Sequence, residues 1–292
     1  MREFDEAELT AEVVRSFADT PDPRLKRILS SLVQHAHAFV RDVDLTFDEW
    51  LFAIDFLART GRKRDAVRQE FILLSDTLGV SMLVDAINHR ERAGATQTTV
   101  LGPFHVGEHR PTAHGSDISP GVAGETMIVE SVVTDTAGKP IAGAEIDVWH
   151  ADPAGLYDAQ QPGYAMDAPS MRAKFHTGAD GGFHFRTVLP ASYPIPMDGP
   201  VGEMIAAAAR HPMRPAHIHF YVTAPGYEPL VTHVFMEGDE YLDSDVVFGV
   251  KNELVCQVEA RPAGTPLPDG TATGAPWHLM RYRFRLRPAA GA

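Results

Sequence analysis

Residues 126–150 read TMIVESVVTDTAGKPIAGAEIDVWH, which is two strand-like runs joined by a turn. The runs 126–135 and 144–150 are rich in apolar and β-branched residues, which favour extended backbone. Between them, 135–140 contains aspartate, glycine and proline, which favour tight turns. The stretch therefore predicts two strands of a β-sheet connected by a short turn.

Four further strand-like runs lie downstream, at 182–188, 217–223, 229–236 and 277–286. Turn-forming residues separate the runs, and no amphipathic helix is evident between them. Short strands at this spacing are typical of a sandwich or a barrel. We therefore expect a mainly β fold, with an antiparallel β-sandwich as the larger domain.

The chain before residue 90 follows a different pattern, with few prolines and many good helix formers. Apolar residues recur at roughly helical spacing in 22–42 and 64–89, and Gly79 predicts an interruption of the second stretch. Thr46 and Glu49 have the spacing of a capping box at the start of another helix. We expect a helical domain over residues 1–100 and the β-sandwich over residues 101–292, with an irregular connection at 91–124.

Charge and composition exclude several classes of partner. The chain has 292 residues and a formal net charge of -13, which disfavours binding to nucleic acid or to an anionic membrane. There is no signal-peptide pattern and no apolar run long enough to span a membrane. Cys256 is the single cysteine, so a metal site would need other ligands. These features predict a cytoplasmic protein.

The strongest local signal for chemistry is RPAHIHF at 214–220. In a strand, His217 and His219 project from the same face while Ile218 projects from the other. Two imidazoles side by side on a rigid strand form half of a metal site. The alternative interpretation is a hydrogen-bonded or exposed histidine pair.

Common partners for such a pair are missing from the sequence. There is no HExxH motif, no cysteine cluster and no carboxylate with the spacing of a facial triad. Two tyrosines stand in unusual settings: Tyr157 follows the predicted strand 144–150, and Tyr193 lies among prolines that restrict its backbone. Each tyrosine taken singly also fits an amphipathic packing residue.

Several ordered motifs together resemble the intradiol ring-cleavage dioxygenases, over residues 10–287. They are GKPIAGA at 138–144, VWHA at 148–151, GLY at 155–157, GFHFRTV at 182–188, YPIPMDGP at 193–200 and RPAHIH at 214–219. Three later stretches are most similar to the members that cleave hydroxyquinol: LVTHVF at 230–235, GDEYLDSD at 238–245 and VFGVK at 247–251. Catechol-cleaving members usually carry glutamine where His233 stands.

The resemblance implies one Fe(III) per chain, held by Tyr157, Tyr193, His217 and His219. Phenolate oxygen is a hard anionic donor that favours ferric iron, and imidazole is a good borderline ligand. Tyr193 would also accept a substrate proton, and Arg214 would stabilise developing negative charge; the alternative for Arg214 is a surface arginine. The implied partners are an aromatic diol or triol and O2, and the helical domain would serve as a linker that forms a homodimer.

The resemblance also implies a substrate pocket. Asp76, on one helix face with Leu73, would accept a hydrogen bond from a third ring hydroxyl and so favour benzene-1,2,4-triol; the alternative is an exposed helix aspartate. Cleavage of this hydroxyquinol would yield 3-hydroxy-cis,cis-muconate, or its tautomer maleylacetate. The expected lining comprises Leu73, Asp76, Val100, Leu101, Gly102, Pro103, Phe104, Ile195, Pro196, His233 and Val247.

Three alternatives remain open at this point. The enzyme could cleave catechol or a chlorocatechol with the same machinery. A non-catalytic prealbumin-like β-sandwich would share the turn GKPIAGA and would contain no iron. A cupin-like enzyme could hold another metal at His217 and His219, although no third histidine or glutamate is found at a matching spacing.

Overall fold

The structure is a computed structural model that describes residues 5–65, 68–90, 93–105, 111–161 and 169–289. The helices before the sandwich are α1 (Glu6–Arg15), α2 (Pro23–Asp42), α3 (Phe47–Arg62), α4 (Glu70–Thr77) and α5 (Val80–Asn88). Local signals explain their bounds. The Thr46 hydroxyl accepts from the Glu49 amide while the Glu49 carboxylate accepts from the Thr46 amide, which confirms the capping box. Gly79 adopts a left-handed conformation with φ of 71°, so the predicted interruption separates α4 from α5.

The strands lie after residue 125, as the sequence predicts. They are β1 (Thr126–Asp135), β2 (Glu145–Trp149), β3 (Arg172–His176), β4 (Gly182–Val188), β5 (Tyr193–Pro194), β6 (Met213–Arg214), β7 (His217–Thr223), β8 (Leu230–Met236), β9 (Val255–Cys256), β10 (Val258–Arg261) and β11 (Trp277–Leu286). All six predicted runs are strands. The unpredicted ones are at most five residues long, too short to produce a clear alternation in the sequence.

A helix within the strand region was not predicted. It is α6 (Pro200–Ala207), which begins with proline in its first turn and is followed by a left-handed Ala209. Its apolar residues Val201 and Ile205 are fully buried. A helix of eight residues is too short for its periodicity to stand out from the surrounding loop.

Two sheets form the sandwich, with strand orders β10-β11-β1-β4 and β3-β2-β7-β8-β9, and β5 pairs with β6 in a small separate ribbon. The sheets are mixed, because β1 runs parallel to β11 and β8 runs parallel to β9. The expectation of a purely antiparallel sandwich was therefore wrong in this respect, while the β-sandwich with a helical N-terminal part is confirmed. Strands that are neighbours only in space leave no sign of their relative direction in the sequence.

The core lies between the inner faces of the two sheets. Phe175, Phe183 and Phe185 stack there, with Phe220 and Phe284 against them. Aromatic side chains bury a large apolar area, which is the main source of stability of such a sandwich. Because this core fills the space between the sheets, the strands that carry polar side chains are held rigidly.

The chain divides into two compact units, Met1–Arg59 and Thr60–Ala292. The first unit holds α1, α2 and most of α3, and the second holds α4 to α6 and the strands. The boundary expected near residue 100 stays a prediction. Among the described residues, no helix combines the length and the apolar character that crossing a membrane requires.

Candidate active site

Three neighbouring strands place aromatic and imidazole rings in one row. Trp149 of β2 pairs with His219 of β7, which in turn pairs with His233 of β8. The ring centroids of Trp149 and His219 are 4.6 Å apart, and those of His219 and His233 are 4.1 Å apart. His217 shares this face of β7, while Ile218 points into the sandwich core. The predicted alternation of the histidine strand is confirmed.

Two tyrosines reach the same place from outside the five-stranded sheet. Tyr193 lies on β5, opposite Arg214 of β6. Tyr157 follows β2 and is fully buried, and its ring stacks on Phe104 with centroids 4.7 Å apart. Gly155 has a φ of 84°, and a Cβ there would lie 2.5 Å from the Cβ of Tyr193. A glycine at 155 therefore lets the segment that carries Tyr157 pack directly on Tyr193.

Four potential donor atoms converge at this point. The Tyr157 Oη lies 2.8 Å from the Tyr193 Oη and 2.9 Å from the His219 Nε2. The His217 Nε2 lies 3.2 Å from the His219 Nε2 and 3.5 Å from the Tyr193 Oη. Ligand atoms bound to one ion at about 2.0 to 2.3 Å are separated by about 2.8 to 3.7 Å. The spacing of the four atoms therefore fits a set of ligands around a single metal ion.

The histidines are held in the form that binds metals. The Nδ1 of His217 lies 2.6 Å from the carbonyl oxygen of Pro215; a carbonyl only accepts, so Nδ1 donates and Nε2 presents a lone pair. Burial lowers the pKa of His217, His219 and His233 well below the ordinary value, which keeps the rings neutral. One ring nitrogen from each lies within 4.8 Å of the others, so this histidine group could hold a metal ion.

Burial raises the pKa values of the two phenols, whereas it lowers those of the histidines. Burial raises the pKa of Tyr157 well above its ordinary value, and the neighbouring Tyr193 raises it further. Burial also raises the pKa of Tyr193, while the charge of Arg214 opposes that change. A buried phenol loses its proton readily only next to a strong positive charge, such as that of a metal ion.

His233 is the third histidine that the sequence did not offer at a matching spacing. It lies on the adjacent strand β8 and is fully buried. Its Nδ1 is 2.7 Å from the hydroxyl oxygen of Thr99. Its Nε2 has no hydrogen-bond partner among the residues that the structure describes. Strand pairing therefore supplies a third histidine that the spacing along the sequence does not indicate.

Arg214 is buried beside the donor atoms, so it is not a surface arginine. Its Nε and Nη2 donate to Oδ1 and Oδ2 of Asp245 at 3.1 and 3.3 Å. Its Nη1 lies 3.2 Å from the Nε2 of His217. Burial acts to lower the pKa of Arg214, but the Asp245 carboxylate together with Tyr193 and Tyr157 raises it overall. Asp245 also accepts from the amides of Val247 and Gly249 at 3.3 and 2.9 Å.

Three of the predicted pocket residues come together. Leu73 of α4, Ile195 and Val247 pack in one buried apolar cluster, although they are far apart in sequence. Asp76 is buried, not exposed as in the alternative interpretation, and its Oδ1 has no partner among the described residues. Burial raises the pKa of Asp76, the charge of Asp245 does the same, and Ser81 and Arg214 lower it. Pro196 is half-buried.

The predicted wall 100–104 divides into an inner and an outer part. A Cβ at Gly102, whose φ is 78°, would lie 3.1 Å from the Cε1 of His219, and Phe104 stacks on Tyr157. Val100 is buried and Pro103 is half-buried. Leu101 is 40% exposed and lines a different pocket together with Tyr221 and Val231. The structure therefore does not bring the side chain of Leu101 to the donor atoms.

Sequence reasoning missed the residues that support the site. Asp245 and Trp149 were noticed only as members of motifs, and neither the ion pair with Arg214 nor the stacking on His219 was predicted. Thr99 was not singled out. The ion pair and the Thr99 contact join side chains far apart in sequence, and no local pattern indicates them. The turn at Gly155 could have been predicted from the sequence, because glycine after Asp152-Pro153-Ala154 favours a turn.

Comparisons with known proteins match most of the chain. A family model described as "Dioxygenase" matches residues 102–288, and one described as "Catechol dioxygenase N terminus" matches residues 22–96. A hydroxyquinol 1,2-dioxygenase of Nocardioides simplex is 50% identical over 97% of this chain and 96% of its own length. A 6-chlorohydroxyquinol 1,2-dioxygenase of Cupriavidus pinatubonensis is 51% identical over 87% of this chain and 92% of its own length.

A solved structure extends the likeness to the whole fold. The crystal structure of hydroxyquinol 1,2-dioxygenase from Pseudomonas putida DLL-E4 superposes with a TM-score of 0.88 at 47% identity. The match covers 97% of this chain and 99% of that one. Both the helical part and the sandwich are therefore similar to those of a solved enzyme.

Proposed function

The chain belongs to the intradiol ring-cleavage dioxygenase family, and from this premise we propose that it cleaves hydroxyquinol, benzene-1,2,4-triol. The observation that carries the proposal is the convergence of the Tyr157 and Tyr193 oxygens with the His217 and His219 nitrogens. We propose hydroxyquinol rather than catechol as the substrate because the similar proteins from Nocardioides simplex and Cupriavidus pinatubonensis are named for hydroxyquinol or its chlorinated form. The product would be 3-hydroxy-cis,cis-muconate or its tautomer maleylacetate, with both atoms of O2 incorporated.

The proposed cofactor is one Fe(III) per chain, with Tyr157, Tyr193, His217 and His219 as its ligands. The chemistry of the donors supports ferric iron, because two phenolates are hard anionic ligands that stabilise the higher oxidation state. When bound, Fe(III) would supply the Lewis acidity that draws charge from a substrate diolate and makes its ring reactive towards O2.

Tyr193 is the proposed base. Its Oη lies at the edge of the donor group, 3.5 Å from the His217 Nε2, whereas the Oη of Tyr157 is within 2.9 Å of both of its neighbours. The Tyr193 Oη would take the proton of one substrate hydroxyl. The buried guanidinium of Arg214, whose Nη1 is directed at the Nε2 of His217, would stabilise the negative charge on the substrate.

Substrate orientation is assigned to the pocket residues. The carboxylate of Asp76 would accept a hydrogen bond from the third hydroxyl of hydroxyquinol, which catechol lacks. The apolar cluster of Leu73, Ile195 and Val247 would pack on the ring and exclude water. The Nε2 of His233, which has no partner among the described residues, would hydrogen-bond a substrate oxygen. Phe104, Gly102, Val100, Pro103 and Pro196 complete the proposed lining.

The helical part is proposed to form a homodimer. None of the 20 residues of α2 is buried, and Leu32 and Phe39 are 62% and 56% exposed. On α3, Phe52 is 68% exposed. Large apolar side chains exposed on both helices support an interface with a second copy of the chain. The match of separate family models to 22–96 and 102–288 supports the domains 1–100 and 101–292, and the cytoplasmic location stays a prediction.

Oxygen uptake by the iron-loaded protein tests the function. The protein is supplied with benzene-1,2,4-triol or catechol, and a Tyr157→Phe variant measures the autoxidation of the triol. Faster net uptake with the triol supports the proposal. A preference for catechol would replace the substrate while keeping the reaction. No uptake with either diol from protein that contains iron would refute both substrates, and a colourless protein without iron would favour the non-catalytic sandwich.

A further inference from the structure

Arg210 connects two segments that carry proposed pocket residues. It follows α6 and the left-handed Ala209, outside the side chains assigned to the site. Its Nη1 donates to the carbonyl oxygen of Thr77 at 2.7 Å, and its Nη2 donates to that of Val246 at 2.8 Å. A guanidinium presents its donors in a rigid planar fork. The two bonds therefore hold Thr77 and Val246 at a defined separation.

Both carbonyls are next to residues that face the proposed substrate. Thr77 follows Asp76 on the last turn of α4. Val246 lies between Asp245, which binds Arg214, and Val247 of the apolar cluster. A change in the separation between the two segments would therefore move the carboxylate of Asp76 relative to Val247.

Backbone strain occurs beside Arg210 and in the segment that contains Val246. Ala209 and Phe248 have φ of 51° and 59°, values that cost energy for residues other than glycine. The guanidinium of Arg210 lies 5.2 Å above the ring of Phe248, within the range of a cation–π contact. Such conformations persist only where surrounding contacts hold them. Arg210 supplies two such contacts to the segment 245–249: the cation–π contact with Phe248 and the hydrogen bond to the Val246 carbonyl.

The structural alternative is that Arg210 only stabilises the fold. Thr77 lies at the C-terminal end of α4, where carbonyls lack helical partners and a cation is favourable. That role predicts a loss of stability that affects every substrate equally. A positioning role predicts a change in the discrimination between substrates.

We propose that Arg210 is a positioning residue that sets the distance between Asp76 and the 245–249 segment and thereby the preference for a ring with a third hydroxyl. The inference rests on the proposed function for its substrates. Its geometric part is independent of the reaction, because it concerns contacts between Thr77, Val246 and Phe248.

Two variants separate the effect of the two hydrogen bonds of Arg210 from the effect of its charge. Arg210→Met keeps a long apolar side chain but removes both hydrogen bonds, and Arg210→Lys keeps a charge but replaces the planar fork. Arg186→Met is the matched control. Arg186 is also half-buried, but it lies on β4 of the four-stranded sheet, where it contacts Asp117 and Thr126.

Steady-state kinetics with the triol and catechol test the specificity. We expect Arg210→Met to lower the ratio of kcat/KM for triol over catechol about tenfold, mainly through a higher KM for the triol. Arg210→Lys should fall in between, and Arg186→Met should keep the wild-type ratio. An unchanged ratio in Arg210→Met with a lower Tm would overturn the proposal in favour of a purely structural role.

Hydrogen exchange in the full-length iron-loaded protein tests, without reference to activity, whether Arg210 joins the segments that contain Thr77 and Val246. We expect Arg210→Met to speed amide exchange in both 70–77 and 245–250, with no change at β1. Unchanged exchange in either segment would refute a connection between them through Arg210. If the wild type oxidises neither diol, the proposed function and the specificity fail together, whereas the exchange data still decide whether Arg210 joins the two segments.

Discussion

Asp245 holds the guanidinium of Arg214 from one side, with Oδ1 3.1 Å from Nε and Oδ2 3.3 Å from Nη2. This leaves Nη1 directed at the Nε2 of His217, 3.2 Å away. Arg214 and Asp245 are both buried, so neither charge is solvated without the other. The orientation of Arg214 beside the donor atoms therefore depends on an aspartate 31 residues further along the chain.

Replacement of that aspartate should cost both stability and activity. We expect Asp245→Asn to lower the free energy of unfolding by about 3 kcal/mol, because it leaves the charge of Arg214 buried without a counter-ion. The reoriented guanidinium should also lower kcat for the diol. Urea unfolding and oxygen uptake measure the two effects. Asp243→Asn is the control, since Asp243 is exposed, and should change stability by less than about 0.5 kcal/mol. Equal effects of the two substitutions would argue against the role given to Asp245.

Gly155 offers a test of the tyrosine geometry. An alanine there would be strained by the φ of 84° and would place its Cβ 2.5 Å from the Cβ of Tyr193. At Gly138, with φ of 86°, nothing lies within 4 Å of an added Cβ. We expect Gly138→Ala to cost about 1 to 2 kcal/mol from strain alone. Gly155→Ala should cost more and should also change the visible absorption of the iron-loaded protein, because Tyr193 must move. An unaltered spectrum in Gly155→Ala would contradict the assignment of Tyr193 as a ligand.

Asp76 is expected to decide the substrate preference. Loss of one hydrogen bond to a charged group costs about 1.5 to 3 kcal/mol, which corresponds to a tenfold or greater loss in kcat/KM. Asp76→Ala should therefore reduce kcat/KM for benzene-1,2,4-triol at least about tenfold and leave that for catechol within about threefold. The same kinetic assays with both substrates measure this. If the two values fall in parallel, Asp76 does not recognise the third hydroxyl.

His150 should make the metal-free protein sensitive to acid. Burial lowers its pKa from 6.5 to about 4, although Asp152 and Asp158 act to raise it and Arg172 acts to lower it further. Its Nε2 lies 2.7 Å from the hydroxyl of Thr187. Because the folded form resists protonation, its contribution to stability is present above pH 6.5 and is lost as the pH falls towards 4.

The variant His150→Gln isolates this contribution. Between pH 6.5 and 4, the free energy of unfolding of the wild type should fall by up to about 1.4 kcal/mol per pH unit more than that of His150→Gln. Urea unfolding of both metal-free proteins across this range gives the two slopes. The buried histidines of the site contribute to both slopes and cancel in the difference. Parallel slopes would mean that His150 is protonated in the folded state.

Much of the fold was predictable because its signals are local. The strand-like runs 126–135, 182–188, 217–223 and 277–286, separated by turn-forming residues, predicted strands whose bounds agree with the structure. The capping box at Thr46 and the break at Gly79 depend on residues within one turn of the helix end. The two tyrosines were identified through a resemblance of several motifs, since their spacing alone did not distinguish ligands from packing residues.

The sequence by itself determined which side chains share a strand face, as with His217 and His219, because the backbone period of two acts over neighbouring residues. Only the tertiary structure decided that His233 lies beside His219, that Asp245 binds Arg214 and that Arg210 joins Thr77 to Val246. Those contacts depend on strand register and loop path. Both are set by the burial of the whole core, to which many distant residues contribute together.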